Sequence, residues 1–155
     1  MNDYGYDFLA NPTKSIFVDK EYDNIYIYFR DRLNIKYNEL FVLNASIGNK
    51  NNFKIPLKKR GKEFKSTYFG KLRYSMYSII LNHNEYGKNI EKFKDVDFQN
   101  SSINLLQDLA NGGMKILCDK VFLHNWDGVE LDTSYDEYLI DVLTYSIEEA
   151  EKVPF

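Results

Sequence analysis

Apolar side chains recur at helical spacing through residues 101–129. Ile103, Leu106, Ala110, Gly113, Leu117, Val121 and His124 form one row, and Leu105, Leu109, Ile116 and Leu123 lie beside it. A stripe this wide is satisfied only by burial, so the stretch predicts the central helix of a core. Ser101 or Ser102 is placed to cap its start by accepting a free first-turn N–H. Asp127-Gly128 is a turn signal at its end. Trp126, just ahead of that turn, is expected to fold back and close the core. Gly112-Gly113 costs the helix roughly 2 kcal/mol against two alanines. The stripe keeps its phase across the pair, which favours close approach of another backbone over a kink or a break.

Period-two patterning dominates the first third. Residues 1–14 read as an irregular arm broken at Asn11-Pro12, with Tyr4, Tyr6, Phe8 and Leu9 available to anchor it. Residues 15–18 predict a short strand. In residues 24–29, Ile and Phe alternate with Tyr, the clearest strand signal in the chain. Further strands are expected over 33–37 and 40–47, with Phe41, Leu43, Ala45 and Ile47 sharing one face. A loop follows at 48–52. Phe64, Tyr68, Leu72, Met76 and Ile79 or Ile80 then return at helical spacing and predict a helix over 61–81. Residues 83–101 are polar and turn-rich and suit a loop. Residues 138–143 fit strand or helix, and Ser146 with Glu149 forms a capping box for a short terminal helix to about residue 153. The pattern therefore predicts one α+β domain behind the arm. A small N-terminal antiparallel sheet (about 15–52) packs with two principal helices and a short C-terminal one (about 56–155).

Composition narrows the function. With 155 residues, 44% hydrophobic and 28% charged, the chain is globular rather than disordered. The single cysteine, Cys118, excludes an internal disulfide and falls in the buried stripe, where it reads as a small hydrophobe. No basic leader precedes an apolar run, and no stretch reaches the ~18 apolar residues of a membrane helix, so a cytoplasmic protein without membrane contact is expected.

Catalytic sets are missing. Of the two histidines, His83 lies in a polar loop and His124 at a helix end; Cys118 and His124 face different ways and lack a second cysteine for zinc. The acids between Asp127 and Glu137 miss the calcium-loop spacing. No phosphate-cradling glycine loop and no nucleophile elbow occur. The reading is a non-enzyme with no cofactor and no metal.

Charge is segregated along the chain. Lys54, Lys58, Lys59, Arg60, Lys62, Lys65, Lys71 and Arg73 are opposed only by Glu63. Between Asp119 and Glu151, ten acids face one base, Lys120. The basic run with Phe53, Phe64, Tyr68 and Phe69 is the best argument for nucleic acid. A net charge of −3 and a pI near 5.4 argue against it. A solvated face, or a groove for an acidic protein partner or for the acidic third of a second copy, fits better.

One order of features resembles a group of small tailed-phage proteins known as tail assembly chaperones or tail-region proteins. Its marks here are Gly48-Asn49 with Phe53, the turn Trp126-Asp127-Gly128-Val129, and Tyr145-Ser146 leading into Glu148-Glu149-Ala150. A Gly-containing acidic turn expected after Val129 is replaced by Leu131-Asp132-Thr133-Ser134-Tyr135. The resemblance implies a cytoplasmic, non-enzymatic assembly protein that keeps a long helical tail (tape measure) protein soluble. Gly112 and Gly113 would then admit a partner helix beside Trp126. Lys58, Lys59 and Arg60 on one side, and Asp127, Asp132 and Asp136 on the other, would steer it. An acidic inhibitor or immunity-type protein that masks an enzyme's active site, and a structural virion subunit that self-associates, are the competing expectations.

Overall fold

The computed structural model describes residues 4–83 and 90–152. Among them are five α-helices: α1 (Asp23–Leu33), α2 (Tyr37–Lys50), α3 (Arg73–His83), α4 (Val96–Lys120) and α5 (Tyr138–Glu151). Two strands, β1 (Ser15–Asp19) and β2 (Arg60–Lys65), pair antiparallel with Ile16 opposite Phe64. The fold is α+β.

The expected central helix is α4. Ile103, Leu106, Leu109, Ala110 and Leu117 are buried, while Leu123 and His124 stand exposed beyond its end. The helix starts ahead of Ser101-Ser102, because Asp95 accepts the N–H groups of Asp97 and Phe98 and so caps it earlier. The part of the expected 83–101 loop over residues 84–89 lies outside the described residues. Its remainder forms a 3-10 turn (Ile90–Lys94) that buries Phe93, and then the start of α4.

The strands expected at 24–29, 33–37 and 40–47 are helical. Tyr22, Ile25, Tyr26 and Phe29 are buried at i, i+3, i+4 and i+7, a helix face that the Ile/Tyr alternation also satisfies. Asn34, in the left-handed region at φ 56°, ends α1, a conformation that asparagine tolerates. In α2, Leu40, Phe41, Asn44, Ala45 and Gly48 face inward. Glu39 accepts the Lys36 N–H at 2.9 Å and closes the first turn.

The helix expected over 61–81 divides. Residues 60–65 form β2, a 3-10 segment (Ser66–Leu72) turns at Gly70 with φ 55°, and only α3 is α-helical. β1 draws residues 60–65 into a ladder, so the tertiary partner overrides the local helical pattern. Residues 138–143 belong to α5, which runs on through Ser146. The expected capping box there is absent: the Ser146 hydroxyl donates back to the Val142 carbonyl from within the helix. α5 ends at Glu151, where Lys152 turns extended, close to the end expected near residue 153.

α2 and α4 cross at their backbones. A Cβ on Gly113 would collide with the Asn44 carbonyl, one on Gly48 with the Leu109 carbonyl, and one on Gly112 with the Phe53 carbonyl. The close approach expected at Gly112-Gly113 is therefore made by the chain's own α2 and by the segment following it. The arm is held as firmly. Phe8 and Leu9 are buried, the Leu9 N–H donates to the Tyr77 hydroxyl at 2.9 Å, and Arg73 forks onto Asp7 at 2.9 and 3.1 Å.

Candidate interaction surface

The nine residues expected to meet a partner fall in four places, with Asp136 on its own ahead of α5. Gly112 and Gly113 are buried against α2 and the Phe53 carbonyl, so no slot is left there for a partner helix. Lys58, Lys59 and Arg60 are exposed at the start of β2. Their backbone is held from below: Asp19 accepts the N–H groups of Lys58 (3.0 Å) and Glu21 (3.1 Å), and Asn111 donates to the Ile55 carbonyl at 3.1 Å. Asp19 itself is buried, and the Lys58 and Glu21 N–H groups satisfy its side-chain oxygens.

Trp126, Asp127 and Asp132 come together in the connection between α4 and α5. Trp126 bridges to Leu131 and is half-buried, its ring 6.3 Å from that of Tyr22. It braces the turn rather than closing the core, because Phe122 and Leu131 already fill that position. The turn borders a groove of about 410 Å³ lined by His124, Asp127, Glu130, Asp132 and Thr133. A second groove of about 210 Å³ shares Glu130, Leu131 and Thr133 and reaches Tyr28, Asp31 and Arg32 on α1.

Carboxylates here are ordered by their own loop. Asp127 accepts the N–H groups of Glu130 and Val129 at 2.7 and 2.8 Å, which holds its carboxyl below the usual range. The Ser134 hydroxyl and amide do the same for Asp132. Asp136 and Glu137 stay exposed ahead of α5. Tyr135 donates to Asp141, and the carboxylate beside it pushes the phenol up to about 12.

α5 carries the feature that sequence reasoning missed. Tyr138, Val142 and Tyr145 form its buried side, with Tyr138 edge-on to Tyr28 at 5.3 Å and to Phe122 at 5.7 Å. On the other side Ile140, Leu143 and Ile147 are 62%, 52% and 60% exposed, at i, i+3 and i+7. The signal was present in residues 138–147, whose apolar positions are too many for one face. Their reading as strand or helix hid it.

Burial pushes the Cys118 thiol up to about 12, far from a reactive thiolate. His124 is exposed, and among the described residues no three His, Cys, Asp or Glu side chains gather as a metal set. Among the same residues no helix is long and apolar enough to cross a membrane. No protein family, curated protein or solved structure matches the chain.

Proposed function

We propose that this protein is a non-enzymatic binding subunit that receives a helical protein partner on the outward face of α5. The observation that carries the reading is the pair of opposed apolar faces on one helix. A surface helix normally shows one apolar stripe to its own core. The second stripe, Ile140, Leu143 and Ile147, is the kind of surface that another molecule covers. Exposed Glu137, Glu148 and Glu151 rim it and favour a partner with basic flanks. The resemblance to tail assembly proteins supplies a concrete partner, a long helical tail protein kept soluble in the cytoplasm before assembly.

A second reading rests on the ordered acids. Asp127 and Asp132, fixed by their own loop, together with Asp136 resemble the spaced charges of a phosphate backbone, as an inhibitor of a nucleic-acid enzyme requires. Affinity capture from the native or infected cell separates the two. Wild-type protein is expected to retain a helical partner that Leu143→Glu loses at least tenfold, while Asp132→Asn keeps it. Capture of a nuclease or toxin that depends on Asp132 and ignores Leu143 would establish the inhibitor instead.

A further inference from the structure

The outer face of the β1–β2 ladder and the adjoining wall of α4 flank an open groove of about 500 Å³, a volume within the range of small-molecule sites. α4 contributes Asn100, Ile103, Asn104 and Gln107, which fall at i, i+3, i+4 and i+7 and so share one face. The ladder contributes Lys14, Ser15, Phe17 and Arg60. Lys65 donates to the Ser15 hydroxyl at 2.8 Å and brings a third cation to the rim.

No acid lines this groove, although the chain as a whole carries a net charge of −3. The two acids of the ladder, Glu63 opposite Phe17 and Asp19 opposite Arg60, are both outside the lining, and Asp19 is buried with its oxygens taken by the Lys58 and Glu21 N–H groups. Arg60 and Lys14 have no acidic partner among the described residues. The Arg60 guanidinium lies 4.6 Å from the Phe17 ring centroid. Gln107 is only 8% exposed, and its Oε1 accepts the Phe17 N–H at 2.9 Å. That bond fixes the carboxamide and leaves its Nε2 hydrogens with no protein acceptor among the described residues.

A groove rich in donors and free of acids selects a ligand that is anionic and rich in acceptors. Arg60 suits phosphate oxygens as a planar fork, and Lys14 as a point charge. The carboxamides of Asn100, Asn104 and Gln107 match the donor and acceptor edges of a base or the hydroxyls of a sugar. Ile103 adds an apolar patch to the α4 wall, and the Phe17 ring backs the Arg60 guanidinium. We propose that this groove binds a phosphate-bearing nucleotide, either free or as one unit of a single strand. It involves neither α5 nor the acidic loop and stands whether or not α5 receives a partner.

The test is calorimetric titration of the full chain at low salt with AMP, ATP, inorganic pyrophosphate and a ten-nucleotide thymidine strand. One nucleotide is expected to bind per chain. Affinity should fall at least tenfold in Arg60→Gln and in Asn104→Asp, which places a carboxylate in the groove. Both positions are exposed, so circular dichroism and the unfolding midpoint should stay at wild-type values, and Lys58→Gln, outside the lining, should bind normally. A strand that binds more tightly than AMP identifies the polymer as the source; equal affinity identifies the free nucleotide. Absence of binding to all four ligands at millimolar concentration overturns the proposal. So does binding that survives both substitutions, or pyrophosphate binding as tightly as the nucleotides.

Discussion

Gly113 shows how much rests on one missing methyl group. Its hydrogen faces the Asn44 carbonyl, and Asn44 in turn donates to the buried Tyr26 hydroxyl at 3.1 Å. A Cβ there must push α2 away from α4, because neither backbone can yield alone. Gly113→Ala is expected to cost more than about 3 kcal/mol in denaturant titration, at the upper end of overpacking penalties; a loss under about 1 kcal/mol would mean that the helices do not meet there. Trp126 lies at the other extreme. A fully buried ring would cost about 3–5 kcal/mol on truncation. With the ring half-buried against Tyr22, Trp126→Ala should cost about 1–2 kcal/mol, measured the same way.

At the scale of elements, legibility followed periodicity and failed where two periods coincided. α4 was readable because Ile103 through Leu117 keep one phase over several turns. β1 was readable from a short apolar run before a polar turn. In α1 the stretch carries two patterns at once, Ile25, Ile27 and Phe29 at strand spacing and Tyr22, Ile25, Tyr26 and Phe29 at helical spacing, and Asn34 supplies the left-handed stop that goes with the helix. In 61–81 the apolar spacing was real, yet residues 60–65 answer to β1, a partner about fifty positions earlier that no local window contains. The candidate surfaces divide in the same way. The acidic turn at 127–132 was visible as charge, whereas the outward stripe of α5 needed the helix to be known first. The tie between the arm and α3 shows only in space. Asp7 receives Arg73 and the Tyr77 hydroxyl, and chiefly the Arg73 hydrogen bond holds its carboxyl below the ordinary value. A carboxyl depressed in the folded state stabilises fully above the unfolded value near 4 and loses that contribution as pH falls through the folded value. Asp7→Asn should therefore lower stability by about 1 kcal/mol at pH 7, a modest figure because the pair is partly solvated. Its stability should also fall less steeply than wild type between about pH 4 and 2, as followed by acid titration of tryptophan fluorescence. Identical acid limbs would place the acid sensitivity elsewhere.

On the scale of the whole molecule, charge and connectivity are both long-range. Among the described residues no ion pair joins the basic run 54–73 to the acidic third, so each keeps its field for what approaches from solvent. Connectivity sets a second constraint. β1 pairs with β2 only after both α1 and α2 have intervened, and the Phe17 N–H on its other edge finds its acceptor, Gln107, ninety residues downstream. During synthesis the strand leaves the ribosome with both edges bare; β2 can cover one edge once residue 65 has been made, but the Phe17 N–H on the other lacks its acceptor until the middle of α4 has been made. A chain stalled between β2 and Gln107 still presents one open edge of β1. Gln107, which takes the Phe17 N–H in the finished protein, thus ties the outer edge of an early strand to a helix made much later in translation.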